Sequence, residues 1–247
     1  MATEGHPYSW KLVALIHPSS LDQAAEIVSR GGVIAFRTDT FYGLGANPFD
    51  KTAIQRLKEL KGREDGKPIL IVISDLDQVD RFITERAPQF ASLSERFWPG
   101  PLTLIGVARS EVPLEITAGT ATIGIRLPDD EYVRALVRAC GGALTATSAN
   151  LAAQPPARTA QEVAAYFPSG IDLIIDDGAA KTDHPSTVVD VTGATPQIIR
   201  EGVISRAELA DTSMVKRVLI MAAGTVLLLV VGGLVVWVLF CSCVFWP

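Results

Sequence analysis

Apolar and polar positions follow two rhythms along the first 210 residues. "GGVIAF" (31–36), "PILIVI" (68–73), "LTLIGV" (102–107), "TIGIRL" (122–127), "GALTAT" (142–147) and "IDLIIDD" (171–177) are short apolar runs. They read as strands. Between them, "DKTAIQRLKELKG" (50–62), "ERAPQFASLSERF" (85–97), "DEYVRALVRAC" (130–140) and "TAQEVAAYF" (159–167) repeat apolar residues at three- and four-residue spacing. They read as helices. "STVVDVTG" (186–193) and "PQIIREGVIS" (196–205) add two late short strands. Strand and helix alternating in this way predict an α/β domain, with mixed strand direction near its end.

The pattern changes after Arg217. Residues 218–240, "VLIMAAGTVLLLVVGGLVVWVLF", contain no charge. As a helix they would span roughly 34 Å, enough for a hydrocarbon core of about 30 Å. The expectation is a single C-terminal transmembrane helix. Lys216 and Arg217 just before it would hold the large domain on the cytoplasmic side.

Composition narrows the function. The chain has 247 residues and a formal charge of −5, carried entirely between Glu4 and Arg217. That acidity argues against a general nucleic-acid coat. Three cysteines and three histidines, all scattered, give neither a disulfide framework nor metal-ligand spacing. The first residues lack the basic start and apolar stretch of a signal peptide, so the main domain is expected in the cytoplasm.

Four stretches carry candidate chemistry. "KELKGREDGKP" (58–68) nearly spells a nucleotide-hydrolase phosphate loop, but Gly62 to Gly66 is one residue too short. Pro68 follows Lys67 where a hydroxyl is needed, and a strand follows where a helix is needed. What remains is Lys61, Arg63 and Lys67 on a glycine-bearing loop. They suit either a polyphosphate or a solvated helix end. "RTDTFYGLGAN" (37–47) offers Thr38, Asp39 and Thr40 at a strand terminus, where open α/β sheets bind ligands. "ALTATSAN" (143–150) ends in Ser148 and Asn150, with nothing placed to make Ser148 a nucleophile. Arg126 lies inside an apolar strand, so it must meet an internal carboxylate or an anionic ligand. Ser186, Thr187 and Arg200 stand at similar strand edges, and Trp98 in "FWPGPLT" (97–103) reads as core.

Taken in order, "TDTFYGLG", "KGR…GKP", "FWPGPLT", "TIGIRLPD", "TSAN", "STVVD" and "IIREGVI" resemble the YrdC/TsaC family of threonylcarbamoyl-adenylate synthases. The resemblance covers residues 20–206 and implies a twisted mixed sheet flanked by helices around a concave cationic site. Together with the hydropathy pattern, it gives an expected division into a lead-in (1–19), a catalytic domain (20–206), a linker (207–217), the transmembrane helix (218–240) and a short tail (241–247). The activity it implies is formation of threonylcarbamoyl-AMP and pyrophosphate from L-threonine, bicarbonate and ATP, with Mg²⁺ accompanying ATP. The partners it implies are a downstream threonylcarbamoyl transferase that modifies tRNA, and tRNA itself; the uncharged 218–240 run adds the membrane as an expected partner. By position, the resemblance assigns Thr40, Arg126, Ser148 and Ser186 to threonine. It assigns Arg63, Lys67, Thr122, Asn150, Arg158 and Arg200 to ATP, with Lys61 and Arg63 as the catalytic cations. Two features depart from the family pattern. Arg37 stands where proline is common, and "ILIVIS" (69–74) lacks a histidine that some members direct at threonine. The competing expectations are a carbamoyl-transfer domain of the hydrogenase-maturation kind and a non-catalytic module binding double-stranded RNA or tRNA through the cations of residues 51–67.

Overall fold

A computed structural model describes residues 15–16, 21–62 and 66–211. Its backbone divides into two units, residues 1–204 and 205–247. The first holds two sheets of mixed strand direction rather than the one expected. One sheet runs in the order β1 (Leu15–Ile16), β9 (Leu173–Ile175), β2 (Ile34–Arg37), β3 (Tyr42–Gly45), β8 (Thr147–Ser148). The other runs β11 (Gln197–Arg200), β10 (Thr187–Asp190), β5 (Leu102–Val107), β6 (Thr122–Arg126), β4 (Ile71–Ile73), β7 (Ala143–Thr145). Parallel and antiparallel pairs alternate across the second sheet.

"GALTAT" reads as one strand but serves both sheets. β7 pairs with β4, whereas β8, one residue later, pairs with β3. The switch is held by backbone bonds from Thr145 N to Ala46 O (3.0 Å) and from Ala146 N to Leu70 O (2.9 Å). A single segment therefore stitches the sheets together, which is why they share one core. Ile34, Phe36, Leu173 and Ile175 of the first sheet meet Val72 and Leu144 of the second beneath Ala24, Val28, Val133, Leu136 and Val137. The last five belong to α1 (Leu21–Ser29) and α5 (Glu131–Ala139). Each large apolar side chain buried there contributes about 1.5–3 kcal/mol.

Two helix ends matter for function. α2 (Lys51–Lys61) starts at Asp50, whose carboxylate accepts from Thr52 N and Ala53 N, and buries Ala53, Ile54 and Leu57. It stops at Gly62, in the left-handed conformation (φ 56°) that suits glycine. That stop delivers Lys61 at the helix end. α5 starts at Asp130, whose carboxylate accepts from Val133 N at 3.2 Å.

The second unit is described only over Ser205–Asp211. There Ser205 and Glu208 close a capping box on α7 (Arg206–Ala210), so the expected linker begins as a helical turn. The expected transmembrane helix, and the membrane tether drawn from it, need correction. Among the described residues no helix is long and apolar enough to cross a membrane. The longest, α2, has 11 residues and reaches about 16 Å, roughly half a bilayer core. Residues 218–240, on which the expectation rested, lie outside the described residues, as does the tail 241–247. The fold class of the described residues is α/β.

Candidate active site

Strand register puts the decisive side chains in one row. On the second sheet Leu144 pairs with Val72, and Val72 with Arg126. Ile125 pairs with Leu104, which sets Arg126 beside Thr103. Thr103 pairs with Val188, and Val188 with Arg200. Directly paired residues share a face. Along this row the face changes from apolar (Leu144, Val72), under α5, to Arg126 and Thr103, then Val188, and ends in Arg200 at the β11 edge.

Arg126 and Arg200 dominate the polar half. The Arg126 guanidinium is buried, donates from Nη1 to Thr40 Oγ1 at 3.1 Å, and lies 3.3 Å from Asp39 Oδ1 through Nη2. Its Nε and the Oδ1 of Asp39 are buried without a hydrogen-bond partner. Thr40 Oγ1 is 3.1 Å from Thr38 Oγ1. The sequence left open whether Arg126 meets an internal carboxylate or a ligand. It has a long contact to the first and spare capacity for the second.

Arg200 donates to Ser186 O from Nε (3.2 Å) and Nη2 (2.9 Å), and to Ser186 Oγ at 3.1 Å. Ser186 Oγ is 3.0 Å from Thr103 Oγ1. Burial, and then the like charge of Arg126, push the Arg200 pKa below its usual value. Among the described residues no carboxylate forms an ion pair with Arg200. Two guanidiniums thus stand on one sheet face, and among the described residues only Arg126 has a carboxylate against it, an arrangement that favours an incoming anion.

The third cluster lies across the seam on the first sheet. Ser148 pairs with Gly43, three residues beyond Thr40. Lys61 Nζ donates to Ser148 O, reaches Asn150 Oδ1 at 3.1 Å and lies 3.4 Å from Ser148 Oγ. Ser148 Oγ donates to Asn150 Oδ1 at 2.6 Å. Lys61 therefore turns inward, and Lys58 is also buried. With Arg56 paired to Asp172 at 3.0 Å, helix α2 does not present the continuous basic face that an RNA-binding module would need.

Of the residues singled out by sequence, Thr40 and Arg126 form one contact group, Ser186 and Arg200 another, and Lys61, Ser148 and Asn150 a third. Three others stand apart. Thr122 shares the face of Arg126 but lies about 13 Å along the strand, with its hydroxyl 3.0 Å from Thr120 Oγ1. Arg158 forms an exposed ion pair with Asp183, and Lys67 is exposed. Arg63 lies outside the described residues. Trp98 is core, as its setting suggested, donating to Leu102 O at 2.7 Å and packing edge-on against Phe90.

Sequence reasoning did not find the partners of Arg37. Its guanidinium is buried, donates to Asp177 O at 2.8 Å, and pairs with the carboxylates of Asp177 and Asp130. Burial opposes its charge, but the two carboxylates outweigh that and raise its pKa. Asp130 also binds Lys181 Nζ at 2.8 Å. Burial alone would raise the Asp130 pKa, but Lys181, Val133 N and Arg37 together lower it. Asp39 Oδ2 accepts from Asp129 N at 3.3 Å. Residues 37–40 are thus joined to 126–130, and Thr40 is held against Arg126. An arginine at the end of an apolar strand was the available signal, the same one that marked Arg126.

Comparison with known proteins gives a consistent picture. The family model Sua5_yciO_yrdC, described as "Telomere recombination", matches residues 26–202. A threonylcarbamoyl-AMP synthase of Pyrococcus abyssi is 37% identical over 179 residues, covering 72% of this chain and 53% of that protein. One from Idiomarina loihiensis is 37% identical over 172 residues, covering 68% of this chain and 91% of its own. Among solved structures, P. abyssi Sua5 complexed with L-threonine superposes with a TM-score of 0.77 at 33% identity, covering 81% of this chain and 60% of that one. The chain spans about half the length of the P. abyssi protein.

Proposed function

The chain belongs to the Sua5/YciO/YrdC family, and from that premise we propose that it is a threonylcarbamoyl-AMP synthase. The observation that carries this reading is the pair of buried Arg126 and exposed Arg200 on one sheet face, with the hydroxyls of Thr103 and Ser186 beside them and that of Thr40 against Arg126. A site with two cations, several hydroxyls and no activated nucleophile suits a reaction in which both reactants are anions. Its task is to hold them together and screen their repulsion.

In this reading the α-carboxylate of L-threonine docks on Arg126, with Thr40, Ser148 and Ser186 around the rest of the amino acid. The threonine nitrogen forms a bond to the carbon of bicarbonate-derived CO₂ and loses a proton, giving a carbamate. A carbamate oxygen then attacks the α-phosphorus of ATP, the bond to the bridging oxygen breaks, and pyrophosphate leaves. Arg200, Asn150 and Lys61 line the nucleotide side, and Arg63, Lys67, Thr122 and Arg158 complete it once ATP is present. Magnesium enters with ATP as the counter-ion of its phosphates. Among the described residues no cluster of three or more His, Cys, Asp or Glu side chains could hold a metal ion, so the protein's own share of charge neutralisation falls to its cations. The product is a mixed anhydride, which a transferase acting on tRNA would consume.

A substrate-omission assay tests the proposal. Pyrophosphate release should require ATP, L-threonine and bicarbonate together, with an adenylate as co-product. Release that persists without threonine would overturn it.

A further inference from the structure

Arg200 raises a physical problem. It shares a sheet face with the like charge of Arg126, and among the described residues no carboxylate forms an ion pair with it. Its bonds go to Ser186 O and Oγ, so its position depends on how β11 and the segment after it are held against Ser186.

The chain on either side of Arg200 shows what does so. Thr187, fully buried at the start of β10, directs its hydroxyl at the segment that follows β11. Thr187 Oγ1 accepts from Gly202 N at 2.9 Å and from Ile204 N at 3.0 Å, and donates to Ile204 O at 2.6 Å. One side chain thereby satisfies three backbone groups of the non-strand segment that crosses it. Val203 N adds a bond to Pro185 O at 2.9 Å. The approach is so close that a Cβ at Gly202 would stand 2.1 Å from Pro185 O, so only glycine fits there. Residues 202–204 are thus pinned across residues 185–187, directly beneath the Ser186 groups that receive the Arg200 guanidinium.

We propose that Thr187 is a positioning residue for the nucleotide half of the site, clasping the 202–204 segment so that Arg200 stays on Ser186 against the repulsion of Arg126. This rests on the proposed ATP-dependent activity, and it assigns Thr187 a role through Arg200 rather than contact with substrate. The clasp lies on the β10–β11 side of the row, whereas Thr40 and Arg126 are anchored separately through Asp39. Ser186 keeps its place through the neighbouring Thr187 N, which donates to Pro101 O at 3.0 Å whatever the side chain, so loosening the clasp should affect nucleotide binding and spare threonine.

Thr187→Val keeps the side-chain volume but removes the hydroxyl, and Thr187→Ser keeps the hydroxyl. Calorimetric binding of ATP and of L-threonine, measured separately, reads the two halves of the site. Thr187→Val should weaken ATP binding about 10- to 100-fold while threonine affinity stays within about threefold, because three backbone groups lose their partner on the Arg200 side. Thr187→Ser should restore ATP affinity to within about threefold of the unaltered chain. Equal losses for both ligands, or an ATP affinity unchanged in Thr187→Val, would overturn the proposal. Hydrogen exchange on the unaltered, ligand-free chain gives an independent check that needs no folded variant. The amides of Gly202 and Ile204 should exchange as slowly as those of β10, and rapid exchange there would overturn the clasp. Failure of the substrate-omission assay with both of these results intact would instead point to the activity assignment.

Discussion

Replacing Arg126 by methionine tests both how the site is held and what it binds. The guanidinium and the Asp39 carboxylate are 3.3 Å apart, with side-chain exposures of 4% and 6%. Removing one member of so buried a pair strands the other and typically costs about 3–5 kcal/mol. That is a large part of a domain stability of about 5–15 kcal/mol, so Arg126→Met should fold but with a clearly lowered urea midpoint. Adding Asp39→Asn removes the stranded charge, and the asparagine carbonyl can still accept from Asp129 N. The double variant should recover all but about 1–2 kcal/mol, the usual scale for a neutral replacement of a polar pair. Function should not recover with stability. Losing the charge-assisted bonds to a threonine carboxylate is worth about 1.5–3 kcal/mol, or roughly 10- to 150-fold in affinity. Calorimetric titration of the double variant with L-threonine therefore separates the two effects. Wild-type affinity in the double variant, or a cost below about 1 kcal/mol in the single one, would refute the reasoning.

Three further outcomes follow from the same geometry. Lys61→Met removes a cation and releases Ser148 and Asn150 together; pyrophosphate release should fall on the order of 10²-fold or more, and a drop of less than fivefold would deny Lys61 a catalytic part. Arg158→Ala breaks an exposed pair with Asp183 and should change stability by less than about 1 kcal/mol while raising the KM for ATP; a KM unchanged in steady-state assays would remove Arg158 from the site. The Tyr42 pKa is raised from 10.0 to about 12 by burial first and then by the charge of Asp176. Its folded form favours the neutral phenol, so its contribution is complete below pH 10 and is lost as pH rises toward 12. Tyr42→Phe should cost about 1 kcal/mol at neutral pH, through its 2.7 Å bond to Gly178 O, and flatten alkaline unfolding between pH 10 and 12. A steeper pH dependence in the variant would contradict this.

Much of the fold could be read from periodicity because its strands are short, apolar and bounded by turn residues. "LTLIGV" and "TIGIRL" became β5 and β6 nearly residue for residue. "GALTAT" could not reveal that it serves two sheets, because its division depends on backbone bonds to Ala46 and Leu70, far away in sequence. The site was legible where a charge interrupted an apolar strand, as at Arg126, since a buried cation needs a partner wherever the chain runs. Arg37 carried the same signal. Its partners Asp130 and Asp177 lie more than ninety residues away, so only the fold identifies them. The 218–240 segment shows the opposite limit. Hydropathy predicted a membrane helix there, but none of the described helices has the required length and apolarity.

The central claim is that Arg126 and Arg200 serve one site in which an amino acid and a nucleotide lie side by side. A crystal structure of the chain with L-threonine and a non-hydrolysable ATP analogue tests it most directly. The account predicts the threonine carboxylate on the Arg126 guanidinium, and the phosphates against Arg200 and Lys61 on the same sheet face. A nucleotide seated away from Arg200, or threonine bound without contact to Arg126, would contradict it.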